Sequence, residues 1–179
     1  DKYQIPSIVI DPVMVATSGA RLTSASTASA FREFLYPRLT IITPNIPEAE
    51  ALSGIHIESE RDIHKVAEIL LAQGCNAVLI KGGHLKSDNS TDILFCEDKA
   101  PVSFSSPHID TLNLHGTGCT LASAITAYMA LGNDLEKSVG LAKSYITSAI
   151  CQGQSIITGK GSGPVNHFFE PQSLKYKNI

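Results

Sequence analysis

The chain has 179 residues, of which 43% are hydrophobic and 17% are charged, as in an ordinary globular protein that buries a core of its own. Its formal net charge of −3 argues against a nucleic-acid partner, and no apolar run reaches the ~20 residues of a membrane span. The four cysteines form no Cys-x-x-Cys pair, so we expect reduced thiols rather than a zinc site, in a cytoplasmic protein without a secretory leader.

The first predicted strand brings a carboxylate to the edge of a sheet. The apolar run Ser7–Ile10 predicts a buried strand that ends at Asp11, followed by Pro12. Ligands of open α/β sheets bind at the carboxyl ends of the strands, which makes Asp11 a candidate site residue. The alternative is that Asp11 only forms the turn before the proline. A helix over Ser26–Tyr36, closed by Pro37, is predicted next.

A second strand and helix follow in the same order. Leu39–Ile42 predicts a buried strand, and Pro47 and Gly54 suit the first turn and the C-terminal cap of the helix after it. Glu48, near the start of that helix, is favoured there by the helix dipole whatever its function.

The next segment pairs an amphipathic helix with a strand. Ser59–Gln73 has apolar residues at helical spacing, a capping box at its start and a glycine after its end. Asn76–Ile80 predicts a buried strand that runs into Lys81, which is either a point charge for phosphate or a solvated turn residue. Lys86–Thr91 is polar and is predicted as a loop.

The remaining pattern predicts three short strands and two helices. The strands are Thr91–Cys96, Val102–Phe104 and His108–Asp110, with a hairpin around Glu97–Lys99, and the helices are Leu121–Leu131 and Leu135–Gln152. The order of all these elements implies an α/β fold, with a mostly parallel sheet flanked by helices on both faces. We expect residues 1–179 to form a single domain.

A glycine-rich turn opens the first of these two helices. The stretch runs His115-Gly116-Thr117-Gly118-Cys119-Thr120. Gly116 and Gly118 allow backbone conformations that other residues avoid, and such a turn leaves several backbone N–H groups aimed at one point. Those donors and the helix dipole favour an anion, typically phosphate, and they favour the thiolate of Cys119. The alternative is a plain loop with a buried structural cysteine.

Five segments together resemble the hydroxymethylpyrimidine and phosphomethylpyrimidine kinases, which belong to the ribokinase superfamily. They are Asp11-Pro12-Val13-Met14, Thr43-Pro44-Asn45-Ile46-Pro47-Glu48, Lys81-Gly82-Gly83-His84, Asp110-Thr111 with His115–Ala124, and the tail Gly159–Phe168. Sugar kinases of that superfamily carry Asp where this chain has Cys119, whereas the pyrimidine kinases and a branch of pyridoxal kinases carry Cys. Family members often have histidine at the position of Ser162, and we expect the tail to be structural.

The resemblance implies a ribokinase-like fold and ATP-dependent phosphorylation of a small hydroxymethylpyrimidine and of its monophosphate, with Mg²⁺ as the cofactor. The implied catalytic residues are Cys119, as the base that accepts the substrate hydroxyl proton, and Gly116, Thr117 and Gly118, through their N–H groups. The implied residues for ATP and phosphate are Lys81, Thr43, Asn45, Gly118 and Thr120. The implied residues for Mg²⁺, directly or through water, are Glu48, Asn45 and Asp11.

Three alternatives stay open: a Cys-type pyridoxal kinase, a sugar kinase, and an inactive nucleotide-binding fragment that acts as an interaction domain. Relatives in the family carry an N-terminal portion with the pyrimidine pocket before the strand that ends at Asp11, so the chain resembles the C-terminal part of a kinase domain. We expect the piece alone to be inactive and the complete protein to be a cytoplasmic homodimer, with no nucleic-acid or membrane partner.

Overall fold

The computed structural model describes residues 5–14, 29–82, 89–171 and 173. The chain divides into two compact units, Asp1–Pro107 and His108–Ile179. The expectation of a single domain over residues 1–179 stays a prediction. None of the helices in the described ranges is long and apolar enough to cross a membrane.

The first unit is built on a five-stranded sheet. Its strands are β1 (Val9–Ile10), β2 (Ile41–Ile42), β3 (Ala77–Lys81), β4 (Asn89–Cys96) and β5 (Val102–Pro107), and they lie side by side in that order. The strands β1, β2 and β3 are parallel neighbours, whereas β4 pairs antiparallel with both β3 and β5. All strands except β4 therefore run in one direction, which confirms the predicted mostly parallel sheet.

The hairpin of β4 and β5 is longer than the sequence predicts. Asn89–Thr91, predicted as the end of a loop, form the start of β4, and β5 extends past its predicted end. Polar side chains pair across the two strands, and the Thr91 and Ser105 hydroxyl oxygens are 2.8 Å apart. Such cross-strand pairs stabilise the polar start of β4 as a strand. His108–Asp110, predicted as a strand, has no regular structure. Residues 86–88 of the predicted loop lie outside the described residues.

Three helical segments belong to the first unit. They are a short segment made of a π-helical turn (Phe31–Leu35) and a 3₁₀ turn (Tyr36–Arg38), then α1 (Ile46–Ser53) and α2 (Glu60–Ala72). The prediction that Pro37 closes the first helix is wrong, because Pro37 stands at the start of the 3₁₀ turn, where its missing N–H costs no hydrogen bond. The predicted helical residues 26–28 lie outside the described residues.

Capping boxes start both α1 and α2. In α1, the Glu48 N–H donates to Asn45 Oδ1 at 2.9 Å, and the Asn45 N–H donates to Glu48 Oε2 at 2.8 Å. Ser59 and Asp62 form the same reciprocal pair in α2, as predicted. Gly54 follows α1 with a φ of 75°, a left-handed conformation in which a Cβ would be strained.

An apolar cluster joins these helices to the sheet. α2 contributes Val66 and Leu70, and β3 contributes Val78 and Ile80, all of them buried. Cys75, 4% exposed, lies in the same cluster just before β3. This packing fixes β3 and therefore the polar residues at its carboxyl end.

The second unit contains two longer helices, α3 (Thr117–Ala130) and α4 (Leu135–Gly153). α3 starts earlier than predicted, because the glycine-rich turn itself winds into the helix after Gly116, which has a φ of 85°. Asp134 caps α4 by accepting from the Lys137 N–H at 2.8 Å. The chain after α4 returns to the start of α3, where His115 and Pro164 form an isolated parallel bridge.

Candidate functional site

Three charged side chains meet at the carboxyl edge of the sheet in the first unit. Asp11 follows β1, Lys81 ends β3, and Glu48 lies in the first turn of α1. Lys81 Nζ is 2.7 Å from Asp11 Oδ1 and 3.9 Å from Glu48 Oε2. The three side chains are 11%, 15% and 9% exposed for Asp11, Lys81 and Glu48, so the ammonium is largely desolvated beside two carboxylates.

Backbone bonds between the strand ends hold this cluster. Asn45 and Lys81 form a parallel bridge, and the Lys81 N–H donates to the Pro44 carbonyl at 2.8 Å. Thr43 is fully buried, and its hydroxyl lies 3.3 Å from the carbonyl oxygen at the end of β1 and 3.4 Å from Asp11 Oδ1. Thr43 thus ties β2 to β1 next to the Asp11 carboxylate.

Glu48 is the least exposed carboxylate of the cluster. Burial raises the pKa of its carboxyl group above the usual range, because the charged form is desolvated. The hydrogen bond from the Asn45 N–H and the charge of Lys81 lower that pKa, while the charge of Asp11 raises it further. The oxygen that caps α1 is also the one nearest to Lys81.

Asp92 is a buried residue next to the cluster that the sequence pattern does not single out. It is 4% exposed and accepts a hydrogen bond from the Gly82 N–H, directly after Lys81, at 3.1 Å. A Cβ built on Gly82 would overlap the Thr91 carbonyl oxygen of the paired strand, so only glycine fits where the chain leaves β3. The available signal was a carboxylate that directly precedes the apolar residues of β4. Residues 83–84 of the quoted segment lie outside the described residues.

The donor set of this cluster fits a magnesium ion held mainly through water. Asp11 and Glu48 offer carboxylate oxygens and Asn45 an amide oxygen, which are the hard donors that Mg²⁺ takes. Among the residues that the structure describes, no group of three or more His, Cys, Asp or Glu side chains is placed to hold a metal ion, so this cluster offers only two carboxylates. Mg²⁺ suits such a site because it keeps several waters and needs only one or two carboxylates beside phosphate.

The glycine-rich turn in the second unit opens α3 with unused donors. The Thr117 N–H donates to a carbonyl of the preceding turn at 3.3 Å, and the Thr120 N–H donates to the Gly116 carbonyl at 2.9 Å. Within the described part of the chain, the N–H groups of Gly118 and Cys119 have no hydrogen-bond acceptor. The turn therefore suits an anion at the helix N-terminus, with Gly118 and Cys119 as donors.

Cys119 is exposed, so the alternative of a buried structural cysteine is wrong. It lies with Thr120 and Tyr128 in the wall of a cavity of about 400 Å³. His167, from the tail that was expected to be structural, lines the same cavity, and its Nε2 is 3.0 Å from Thr120 Oγ1. No sequence spacing indicates this contact, because 47 positions separate the two residues.

Solved structures similar to this chain are kinases. Pyridoxal kinase from Staphylococcus aureus in complex with AMP-PCP has a TM-score of 0.82 at 34% identity, over 93% of this chain and 59% of that chain. Phosphomethylpyrimidine kinase from Clostridium difficile has a TM-score of 0.67 at 40% identity, over 83% of this chain and 59% of that chain. The protein has the ribokinase-like α/β fold of these kinases, as predicted.

Residues 1–166 match the family model for phosphomethylpyrimidine kinase. The chain belongs to this family. The hydroxymethylpyrimidine/phosphomethylpyrimidine kinase of Escherichia coli is 43% identical over 168 residues, which cover 93% of this chain and 63% of that protein. The thiamine biosynthesis bifunctional protein ThiED of Geobacter sulfurreducens is 44% identical over 97% of this chain and 35% of its own length. The chain thus spans less than two thirds of these curated relatives.

Proposed function

We propose that the whole protein is an ATP-dependent kinase that phosphorylates 4-amino-5-hydroxymethyl-2-methylpyrimidine and then its monophosphate, in thiamine diphosphate biosynthesis. The observation that carries the proposal is the exposed Cys119 beside unused N–H donors at the start of α3, in a member of the phosphomethylpyrimidine kinase family. The relative from E. coli is named for both activities. The S. aureus neighbour was solved with AMP-PCP, an analogue of ATP, which supports ATP as the phosphate donor.

The first unit supplies charge for the phosphates. Lys81 attracts phosphate oxygens as a point charge, and Thr43 keeps the Asp11 carboxylate in place beside it. Asp11, Glu48 and Asn45 would hold Mg²⁺ through its waters, and the ion neutralises phosphate charge when it is bound. Phosphoryl transfer depends on such positioning and charge stabilisation more than on covalent chemistry by the protein.

The second unit supplies the donors and the base. The N–H groups of Gly116, Gly118 and Cys119 stabilise negative charge on the oxygens of the transferring group, whereas the Thr117 N–H, also expected as a donor, already donates to the Leu114 carbonyl at 3.3 Å. The Cys119 sulfur accepts the proton of the substrate hydroxyl as that oxygen bonds to phosphorus. Thiols ionise closer to neutral pH than carboxyl groups, which favours cysteine as a general base. The Thr120 hydroxyl lies one residue further along α3 and is a second contact for phosphate.

A pyridoxal kinase is the second candidate. The S. aureus pyridoxal kinase has the higher TM-score of the two solved structures, 0.82 against 0.67. The pyrimidine assignment comes first, because the E. coli relative is 43% identical whereas the S. aureus enzyme is 34% identical. A sugar kinase is disfavoured by Cys119, since those enzymes carry Asp there.

Steady-state assays of the whole protein with each substrate test the assignment. We expect kcat/KM for the hydroxymethylpyrimidine to exceed that for pyridoxal at least about tenfold, as a pocket with specific hydrogen bonds can achieve. A preference for pyridoxal would replace the first candidate with the second. Absence of turnover with both substrates would favour a non-catalytic nucleotide-binding role.

Two substitutions at Cys119 test the base. We expect Cys119→Ser to lower kcat by roughly 10²–10⁴, the usual worth of a positioned base, with little change in nucleotide binding. Cys119→Asp should restore part of the rate and move the acidic limb of the pH profile downward, because a carboxylate stays ionised at lower pH. Cys151→Ser, at an exposed cysteine in α4, is the matched control and should leave kcat unchanged. Near-normal turnover of Cys119→Ser rules out the base role.

We also propose that the whole protein is a cytoplasmic homodimer, as the resemblance to its family implies. Light scattering of the purified protein measures the mass directly. A monomer over the whole concentration range would contradict the dimer.

A further inference from the structure

A buried amide holds the loop before α3. Asn113 is 8% exposed, and its Nδ2 donates to the Gly153 carbonyl at 2.8 Å and to the Ile156 carbonyl at 2.7 Å. These acceptors lie at the end of α4 and just beyond it, where carbonyls lack donors from their own helix. The Gly153 carbonyl also accepts from the Ile156 N–H at 3.0 Å, so the Asn113 amide joins a bonded turn after α4 and fixes the chain just before Gly116 to it.

The C-terminal tail closes over the same loop. The His115 N–H donates to the Gly163 carbonyl at 3.0 Å, and the Ser162 hydroxyl donates to the Leu112 carbonyl at 2.7 Å. A Cβ built on Gly163 would overlap the side-chain oxygen of Asn113. The tail backbone thus lies directly against the buried amide.

The tail then reaches Thr120, which follows the glycine-rich turn in sequence. The Asn166 N–H donates to the Ala149 carbonyl of α4 at 3.0 Å, and Val165 is 3% exposed. His167 Nε2 follows, 3.0 Å from Thr120 Oγ1. The tail therefore contacts the chain at His115, before the turn, and at Thr120, after it. We call Asn113 and residues 162–167 the tail clamp.

α3 differs from the other capped helices of the described chain in what fixes its start. Side chains of Asn45, Ser59 and Asp134 cap α1, α2 and α4, whereas Gly116 offers α3 no side-chain cap. A capping side chain would consume the N–H groups that an anion needs. The tail clamp holds the turn from outside and leaves those donors unused.

We infer that the tail clamp positions the N–H groups of Gly118 and Cys119 for phosphoryl transfer, with Asn113, Gly163 and His167 as positioning residues. The inference rests on the proposed function. Donors stabilise developing charge only when they are fixed before the reaction, and a misplacement of about 1 Å can cost about 10²-fold in rate. The clamp therefore acts on kcat rather than on stability alone.

Gly163→Ala in the whole protein tests the inference, because the new methyl group pushes Asn113 away from the tail. We expect kcat to fall at least about tenfold, while KM for ATP changes less than about threefold. Gly161→Ala is the matched control in the same tail, since its Cβ would meet no atom within 4 Å. That variant should keep the kcat of the unchanged protein.

A second pair of variants at His167 covers the case in which Gly163→Ala does not fold. His167 is exposed, so its replacement leaves the core intact. His167→Leu removes the bond to Thr120 and should lower kcat, whereas His167→Gln keeps a polar atom near Nε2 and should restore most of it.

Amide hydrogen exchange tests the clamp without using kinase activity. The Thr120 N–H, bonded to the Gly116 carbonyl at 2.9 Å, should exchange faster in Gly163→Ala and His167→Leu. The Ser138 N–H, bonded to the Asp134 carbonyl at 3.0 Å at the start of α4, is the internal reference. Normal kcat in both variants, or a loss of stability with unchanged kcat, overturns the inference. If the protein without substitutions shows no kinase activity, the proposed function fails. The tail clamp is overturned independently if the Thr120 N–H exchanges at the same rate in the variants as in that protein.

Discussion

Glu48 shows how one side chain serves a helix and a charge cluster at once. Its Oε2 accepts from the Asn45 N–H at 2.8 Å and lies 3.9 Å from Lys81 Nζ. Sequence analysis gives this residue two alternative roles: a carboxylate that stabilises the start of a helix, or a residue that helps to hold Mg²⁺. The structure shows the first role, since the Glu48 carboxylate caps α1, and the same cap holds the carboxylate beside Lys81 and Asp11.

Glu48→Gln separates the two roles. Glutamine keeps an acceptor oxygen for the capping box, so the free energy of unfolding should change by only a few tenths of a kcal/mol. If Glu48 arranges Mg²⁺, the Mg²⁺ concentration for half-maximal rate should rise about 10–100-fold, because the charge that draws the ion is gone. A magnesium titration of turnover measures this.

Asp62→Asn supplies the matched control for that experiment. Asp62 occupies the same position in the capping box of α2, and hydrogen bonding to Ser59 lowers the pKa of its carboxyl group. This variant should leave the magnesium requirement unchanged. An unaltered magnesium requirement in Glu48→Gln would refute the metal role.

Cys75 gives a pH-dependent prediction. Burial raises the pKa of its thiol from 9.0 to about 12. The neutral Cys75 thiol is favoured in the folded state, so its contribution to the free energy of unfolding is complete below the unfolded pKa of 9.0. That contribution is lost as the pH rises through about 12, because the thiol then ionises. At pH ~9, iodoacetamide should label the exposed Cys119 and Cys151 in the folded protein and spare Cys75, whereas in urea it should label Cys75 as well. Peptide mass spectrometry follows each thiol, and prompt labelling of Cys75 without urea would contradict its burial.

The family resemblance implied that Asp11 and Glu48 serve Mg²⁺ and that Lys81 serves phosphate, and the structure places the three side chains together. The sequence could not predict the contacts of Asp92 or Asn113. Asp92 bonds to Gly82 across a strand pair, and Asn113 bonds to carbonyls 40 and 43 positions away. Such partners are set by how the chain packs, and no local spacing encodes them.

At the scale of elements, local signals were the reliable ones. The capping box of α2 was predicted correctly, because a capping side chain bonds to a backbone group within the same turn, whereas the Asn45 cap of α1 was not predicted. The start of β4 at Asn89 and the irregular His108–Asp110 were not predicted either, because strands exist only where a partner pairs with them.

Gly82→Ala tests the junction between β3 and β4. The new methyl group overlaps the Thr91 carbonyl oxygen, so we expect a loss of about 1–3 kcal/mol in the free energy of unfolding. Turnover should fall as well, because Lys81 precedes the displaced residue. Urea unfolding and steady-state kinetics measure the two effects.

Gly54→Ala is the comparison for that variant. Its φ of 75° strains an alanine by about 1–2 kcal/mol, but its Cβ would meet no atom within 4 Å. We expect a stability loss with normal turnover of the folded fraction. Equal turnover losses in the two variants would show that Gly82 has no special place beside the site.

At the scale of the whole molecule, the comparisons show the family of the chain, whereas the substrate of the whole protein is a proposal. The family model matches residues 1–166, whereas the chain spans 63% of the E. coli relative. The family resemblance implies that the pyrimidine pocket lies in a part of the relatives that this chain does not match, so the choice between a pyrimidine and pyridoxal stays a prediction.

The 179-residue chain expressed by itself gives a direct test of that point. We expect no hydroxymethylpyrimidine-dependent turnover at an ordinary enzyme rate of about 1 s⁻¹ or more, because the resemblance implies that the pyrimidine pocket belongs to the unmatched part of the relatives. A coupled ATPase assay measures it. Ordinary turnover would mean that the matched part contains a sufficient substrate pocket.

The reciprocal capping box of α1 also limits how this sequence can vary. Asn45 and Glu48 each accept the other's backbone N–H, so changing either one removes a bond from the remaining partner. The reciprocal pair in α2, Ser59 and Asp62, is exposed, so water can replace a lost bond there and either residue can change alone. Across related sequences, we expect Asn45 and Glu48 to be retained or exchanged together.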